Sequence, residues 1–379
     1  MRTGILLGAG SSFDAGLPLT NQLAEMLMSQ IGDDLRGVSD DVRGALNFVY
    51  GAMIGHASDQ GENPLAAVNV EKLFSAVRLL QKRHTHEAAA FVERWKPAIA
   101  RFDSSGSRRN DSDLMHIIDD ALGRGASGSR LVEMIREIAL AGISPGDGSV
   151  FKKLDDELMS RTCRILADIK TVDYLQPIIR LAQKQDGGVD IATLNYDLTI
   201  EMAAANSGVA LSIGIEAWRP GSEIGLEDTA EHINLLKLHG SIDWARQPVP
   251  EDPAYRKLHS YDIRRLPAGT TNRSPVMVIG DREKLETDGP TLPLLAAFEK
   301  MLRRTDRLVV VGYSFADEHI NRLVRGWLNA EPHRHIVVLD PGWPSPSGSA
   351  RFADGSFSAS QSQRTTHLAG TLDERGRLA

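Results

Sequence analysis

One cysteine in 379 residues, Cys163, excludes a disulfide framework and any zinc ribbon built on four thiolates. Cys163 itself reads as a small core hydrophobe. No apolar run approaches the ~20 residues needed to cross a bilayer. The run at residues 5–7 is too short and too glycine-bounded for the core of a signal peptide, so the expected setting is the cytoplasm, away from membranes. Neither sign of charge dominates. Lys plus Arg number 43 against 50 for Asp plus Glu, a formal charge of −7 that gives no global attraction to nucleic acid, and no direct nucleic-acid binding is expected. Arg101, Arg108 and Arg109 cluster in a serine-rich stretch without interleaved aromatics, which reads as a solvated loop. The pairs His84/His86 and His333/His335 lack the flanking Cys, His or carboxylate set that fixes a metal, and no metal is expected.

What is present is an ordinary globular composition, 42% hydrophobic and 25% charged, at a length with room for two or three domains. Near its start the chain reads Ile5-Leu6-Leu7-Gly8-Ala9-Gly10-Ser11-Ser12-Phe13-Asp14-Ala15-Gly16-Leu17-Pro18. The apolar run has the length of a strand buried on both faces, and Gly8 and Gly10 allow a tight turn with close backbone approach to a phosphate. Thr20 is the expected N-cap of a helix carrying Leu23, Met26, Leu27 and Ile31 on one side. Alone, this is either a nucleotide loop or a turn that binds nothing. It departs from the dinucleotide fingerprint, because Phe13 stands at the third glycine position and no acidic strand end follows about 20 residues on. No Lys-Ser or Lys-Thr follows the glycines, which excludes a P-loop.

Residues 21–185 are mainly helical in pattern. Val70, Leu73, Phe74, Val77 and Leu80 recur at helical spacing, as do Leu131, Met134, Ile135 and Ile138, then Leu175, Ile178, Ile179 and Leu181. After Gly187-Gly188 the period changes. Residues 189–194 form a β-like run, and further strands are expected at 211–215, 233–238, 276–279, 308–311 and 336–339, with helices at 292–302 and 320–328. Strands alternating with helices imply a mostly parallel sheet covered on both faces, an α/β Rossmann-like fold. Residues 1–20 and 186–342 are read as that domain, 21–185 as a large helical insertion after its first strand, and 343–379 as a tail that is loose or ordered by a partner.

Ligands of open parallel sheets bind outside the carboxyl ends of the strands. Polar clusters fall there repeatedly: residues 8–16, Asn195-Tyr196-Asp197, His239-Gly240-Ser241 and Gly312-Tyr313-Ser314-Phe315, with Asp340 after the last strand. Any one is an ordinary turn. Several carrying Asn, Asp, His and Ser point to a shared site.

With these residues in order, the chain resembles the bacterial sirtuin-like branch of NAD-consuming defence proteins. Gly8-Ala9-Gly10-Ser11-Ser12 with Gly16-Leu17-Pro18 is similar to the sirtuin opening, and Thr193-Leu194-Asn195-Tyr196-Asp197 to its Thr-Gln-Asn-Ile-Asp. Lys237-Leu238-His239-Gly240-Ser241 is similar to the catalytic His-Gly step. Residues 310–315 with Asp317, His319 and Asn321 resemble the late nucleotide loop of that branch. Two departures count against peptide deacylation: the four zinc cysteines are missing, and Leu19, Thr20 and Asn21 stand where deacetylases carry Phe-Arg.

The resemblance implies hydrolysis of NAD, as substrate, to nicotinamide and ADP-ribose. It assigns catalysis to Asn195 and His239, a nicotinamide contact to Asp197, phosphate to Ser11 and the backbone of Gly8, Ala9 and Gly10 with Asp14 in the same loop, and the adenosine side to Gly312, Ser314 and Asp340. It also implies anti-phage defence by NAD depletion, a homo-oligomer and a HerA-type hexameric ATPase as partner. Two other readings stay open: a zinc-free deacylase or ADP-ribosyltransferase, and a non-catalytic sensor of NAD or ADP-ribose.

Overall fold

Strand β1 (Thr3–Leu7) is buried along its whole length and lies at the centre of the sheet, parallel to β2 (Val189–Thr193) on one side and β8 (Arg307–Val311) on the other. The structure is a computed structural model that describes residues 1–61, 68–83, 86, 149–219, 221–248, 261–267, 270, 275–279, 289–340 and 364–368. The sheet continues outward through β4 (His232–Lys237) to β3 (Ala210–Ser212), and on the other side through β9 (His335–Leu339) to β10 (Thr365–Leu368). All of its pairings are parallel. Between β1 and β8 the winding reverses direction, and this is where ligands sit in such sheets. Leu7 is level with Thr193 and with Val311, Thr193 with Lys237, and Val311 with Leu339, so the loops after five strands leave along one edge.

The helices that cover this sheet are α5 (Gln176–Lys184), α6 (Thr199–Ser207), α7 (Thr291–Arg303) and α8 (Glu318–Ala330). Their apolar faces, including Ile178, Ile179, Ala203, Phe298, Met301, Val324 and Leu328, join one core with the strands. Asp190, inside β2, places a charge in the interior. Arg304 Nε donates to it at 2.6 Å and Asn234 Nδ2 at 2.7 Å, so the buried carboxylate is paired and bonded.

The chain divides into two compact units, Met1–Leu23 with Met159–Ala379, and Ala24–Leu158. Tyr174, Leu175, Ile178 and Ile179, which the sequence reading places in the helical insertion, bury their side chains in the core of the sheet unit. The second unit is built of helices: α1 (Thr20–Gly32) enters it, α2 (Asp40–Asp59) and α3 (Val70–Gln81) follow, and α4 (Ser149–Leu166) leaves it. Asn69 caps α3 by accepting the Lys72 N–H at 2.8 Å, and Val70, Leu73, Phe74 and Val77 form its buried face. Thr20 lies inside α1 and is not its cap. Gln22 Oε1 reaches back to the Leu19 N–H at 3.0 Å and does the capping. The expected helix around Leu131 to Ile138, the Arg101 cluster and His84 lie outside the described residues.

Four strands depart from the expected pattern. Residues 276–279 do not extend the parallel sheet; β7 (Pro275–Met277) instead pairs antiparallel with β5 (Gly240–Pro248), which also pairs with β6 (Tyr261–Arg265). The tail carries β10, which extends the main sheet in parallel register with β9. Cys163 is buried, and burial pushes its thiol up to about 12, so it behaves as a core hydrophobe. Among the described residues no helix is long and apolar enough to cross a membrane, and no group of three or more metal-ligating side chains occurs.

Candidate functional site

The glycine loop at the end of β1 is shaped by another loop of the protein. Gly8 N–H donates to Val311 O at 3.0 Å, and Gly10 N–H to Gly312 O at 2.9 Å. A Cβ on Gly10 would lie 2.9 Å from Gly312 Cα, and one on Gly312, at φ +61°, 2.2 Å from Ser11 N. These glycines therefore let two backbones touch. The Ser11 N–H also turns inward, to Gly8 O at 2.9 Å. The Gly8 and Gly10 amides, expected to lie on a phosphate, are thus bonded to protein carbonyls.

The short 3-10 turn Ala9–Ala15 then aims two buried hydroxyls at the loop after β2. Asn195 Nδ2 lies 3.0 Å from Gly8 O, 3.1 Å from Ser11 Oγ and 2.9 Å from Ser12 Oγ. A carbonyl only accepts, so the contact with Gly8 fixes which end of the amide is nitrogen. The Asn195 donors are thereby occupied by the protein, while Oδ1 has no partner among the described residues. Ser12 passes the chain on, donating to Asp197 Oδ2 at 2.7 Å, and Asp197 Oδ1 accepts from Thr199 N and Oγ1 at 3.0 and 2.7 Å. Asp197 thus receives three protein donors and organises the start of α6.

Beneath this loop lies Lys237, the last residue of β4, with no exposed surface. Its ammonium donates to the Asp197 carbonyl and to Glu201 Oε1, the latter at 2.8 Å. Burial raises the Glu201 carboxyl above its ordinary range and the lysine charge opposes that. Tyr174 closes the same region from the segment before α5. Its hydroxyl is buried close to Ser12 and Thr199, and burial, then the charge of Asp197, pushes the phenol up.

His239 follows β4 by two residues. The next residue, Gly240, has φ +81°, and a Cβ there would meet Val276 O at 2.1 Å, so the turn that carries the imidazole into β5 admits only glycine. The ring is buried. Its centroid is 6.3 Å from that of Tyr196, whose own carbonyl accepts the Ile242 N–H at 3.1 Å. Across from it, His239 Nε2 lies 3.2 Å from Asp317 Oδ2, a carboxylate in the loop between β8 and α8.

The strand-end loops therefore join in a circuit. Ser11 and Ser12 meet Asn195 and Asp197, Tyr196 meets His239, His239 meets Asp317, and Gly312 meets Gly10. Gly312 also donates to Leu339 O at 3.2 Å, which ties in the end of β9. Asp14 is exposed on the Ala9–Ala15 turn and Ser314 is exposed after β8; the Asp340 N–H donates to Leu368 O at 3.2 Å. None of these three is bonded to Asn195 or His239. His333 reaches Asp306 at 3.2 Å and His335 reaches Thr366 at 2.7 Å. Sequence reasoning named Ser12, Lys237 and Asp317 without giving them a task, and it passed over Tyr174. The signal for Lys237 was a charged residue closing an otherwise apolar run, Ile233 to Leu238, with Asn234 the only other polar member.

Such an arrangement offers an oriented acceptor on Asn195 and an imidazole backed by a carboxylate. Together they can accept a proton from a hydroxyl or water beside an electrophilic carbon.

Sequence comparison with curated proteins finds no match. Among solved structures, one from work on the mechanism and regulation of Sir2 enzymes aligns at 17% identity and TM-score 0.33, covering 60% of this chain and 74% of the other. A Sir2 homologue variant in complex with ADP-ribose aligns at 15% identity and TM-score 0.34, with the same coverage. Residues 189–354, which hold Asn195, Asp197, His239, Gly312, Asp317 and Asp340 but not the glycine loop, match the family model of a SIR2-like domain.

Proposed function

We propose that this site hydrolyses the bond between nicotinamide and ribose in NAD, releasing nicotinamide and ADP-ribose. The observation that carries the reading is the circuit of contacts that sets the Asn195 amide and the His239 imidazole among strand-end loops of a SIR2-like domain. Cleavage of the C1′–N bond leaves its electron pair on the nicotinamide nitrogen, which neutralises the pyridinium. The anomeric carbon gains oxocarbenium character. A water oxygen bonds to that carbon, and its proton passes to His239. Asn195 Oδ1, the acceptor that no described residue bonds, takes a hydrogen bond from that water or from a ribose hydroxyl. The exposed Ser314 and Asp340 at the end of β9 serve the adenosine side, and the Ser11 hydroxyl, with Asp14 nearby, serves the phosphates.

On resemblance alone the reading extends to anti-phage defence by NAD depletion, in the cytoplasm, by a homo-oligomer working with a HerA-type hexameric ATPase. Co-expression with that ATPase and co-purification test the extension.

Asn195→Ala and His239→Ala test the core. Each is expected to lower kcat/KM for NAD by about 10²–10⁴-fold, the range for losing a positioned general base or hydrogen-bonding group, with the fold kept by circular dichroism. Turnover within about twofold of wild type in either folded variant removes that residue from the mechanism.

A further inference from the structure

We infer that Asp317 is a positioning residue that fixes the tautomer of His239, an inference resting on the proposed role of His239 as base. A carboxylate oxygen only accepts, so the 3.2 Å contact between Asp317 Oδ2 and His239 Nε2 places the proton of the neutral ring on Nε2. The lone pair, and with it the basic function, then belongs to Nδ1.

Asp317 is itself tightly held. Its other oxygen, Oδ1, accepts the N–H groups of His319 and Ile320 at 3.0 and 3.4 Å and caps α8. The two oxygens therefore have separate tasks, one on the helix and one on the imidazole. The Tyr313 hydroxyl lies 3.1 Å from the Asp317 carbonyl, 3.3 Å from its N–H and 2.9 Å from Asn321 Oδ1, and Asn321 Nδ2 donates to Phe315 O at 2.8 Å. Phe315 sits at φ +54°, a left-handed conformation that an aromatic residue adopts only when its surroundings impose it. The loop is built to hold one carboxylate in one place.

Asp317→Asn separates the two tasks. Asparagine and serine cap helices about as well as aspartate, so α8 keeps its cap. The cap N–H groups need the amide oxygen, which turns the amide NH₂ toward His239 and forces the opposite tautomer. The expected result is a kcat for NAD lowered about 10²-fold or more, with KM changed less than about threefold and melting little altered. Asp317→Ser, which removes the acceptor facing Nε2, is expected to lower kcat similarly. In the His239→Ala background neither substitution is expected to lower kcat further, because Asp317 acts through the ring. Nitrogen-15 NMR of the imidazole, assigned by loss of signals in His239→Ala, reads the tautomer without turnover: Nε2–H in wild type, lost in Asp317→Asn. Equal losses of kcat in both backgrounds, or a tautomer unchanged by Asp317→Asn, overturn the inference and leave Asp317 a helix cap. A wild type that binds NAD and never cleaves it, but shows the tautomer change, overturns the proposed function and leaves the pair standing.

Discussion

A lysine with no exposed surface must be tightly paired, and Lys237 is placed to brace the loops after β2 and β4 at once. It ends β4 just before His239, and its ammonium holds both the Asp197 backbone and the Glu201 carboxylate. Lys237→Met removes the cation and leaves that carboxylate enclosed. Breaking one side of such a pair costs about 3–5 kcal/mol, a large part of the stability of most domains. The loss carries a pH signature. Glu201 is held above its ordinary range by burial, so the folded chain keeps a proton that the unfolded chain releases near pH ~4.3, and stability falls as pH rises through that window. With Lys237 gone the largest offset to the shift is lost, and the deficit of the variant in urea unfolding is expected to grow with pH; adding Glu201→Gln recovers part of it. A deficit that does not change with pH would show that Lys237 acts only by packing. None of this was legible beforehand, since Lys237 and Glu201 are 36 residues apart and the spacing within β4 says nothing of what lies above its end. His239 and Asp317, 78 residues apart, were hidden for the same reason.

Elements were more legible than their partners. The apolar runs that became β1, β2, β4 and β8 are buried on both faces, and continuous hydrophobicity marks such strands without reference to neighbours. β5 opens with Ser241-Ile242-Asp243-Trp244, polar and apolar in turn, and that period of two was a usable signal that the parallel-sheet pattern obscured. β10 left almost no signal: four residues, half exposed, ordered by pairing with β9. Its pairing is expected to be sensitive to acid. His335 on β9 and His367 on β10 are both held below the ordinary histidine value, by burial first, with Arg307 and Arg364 adding to the effect at His335. The neutral rings contribute stability above about pH 6.5, the unfolded value, and that contribution is lost as pH falls through the lowered folded values. Hydrogen exchange corrected for intrinsic rates is expected to show the amides of residues 365–368 losing protection between about pH 7.5 and pH 5.5, while β1 keeps its protection. Equal protection at both pH values would show that the edge strand does not depend on these rings.

At the scale of the molecule, sequence order already pointed to the site, because the chemistry-bearing residues follow strands that the parallel register brings level. What order could not convey was how the loops use their atoms. Gly8 and Gly10 read as a phosphate cradle, yet their amides bind the end of β8 and the loop after it, and the feature that bears on chemistry is the Asn195 acceptor, which no described residue bonds. The central claim is that water attacks the ribose of NAD at this site. It is tested most directly by incubating the pure chain with NAD alone in water enriched in oxygen-18 and weighing the products. The account predicts nicotinamide and ADP-ribose in equal amounts, one heavy oxygen in the ADP-ribose and none in the nicotinamide. Nicotinamide released only when an acylated peptide is supplied, or NAD bound and returned uncut, would contradict it.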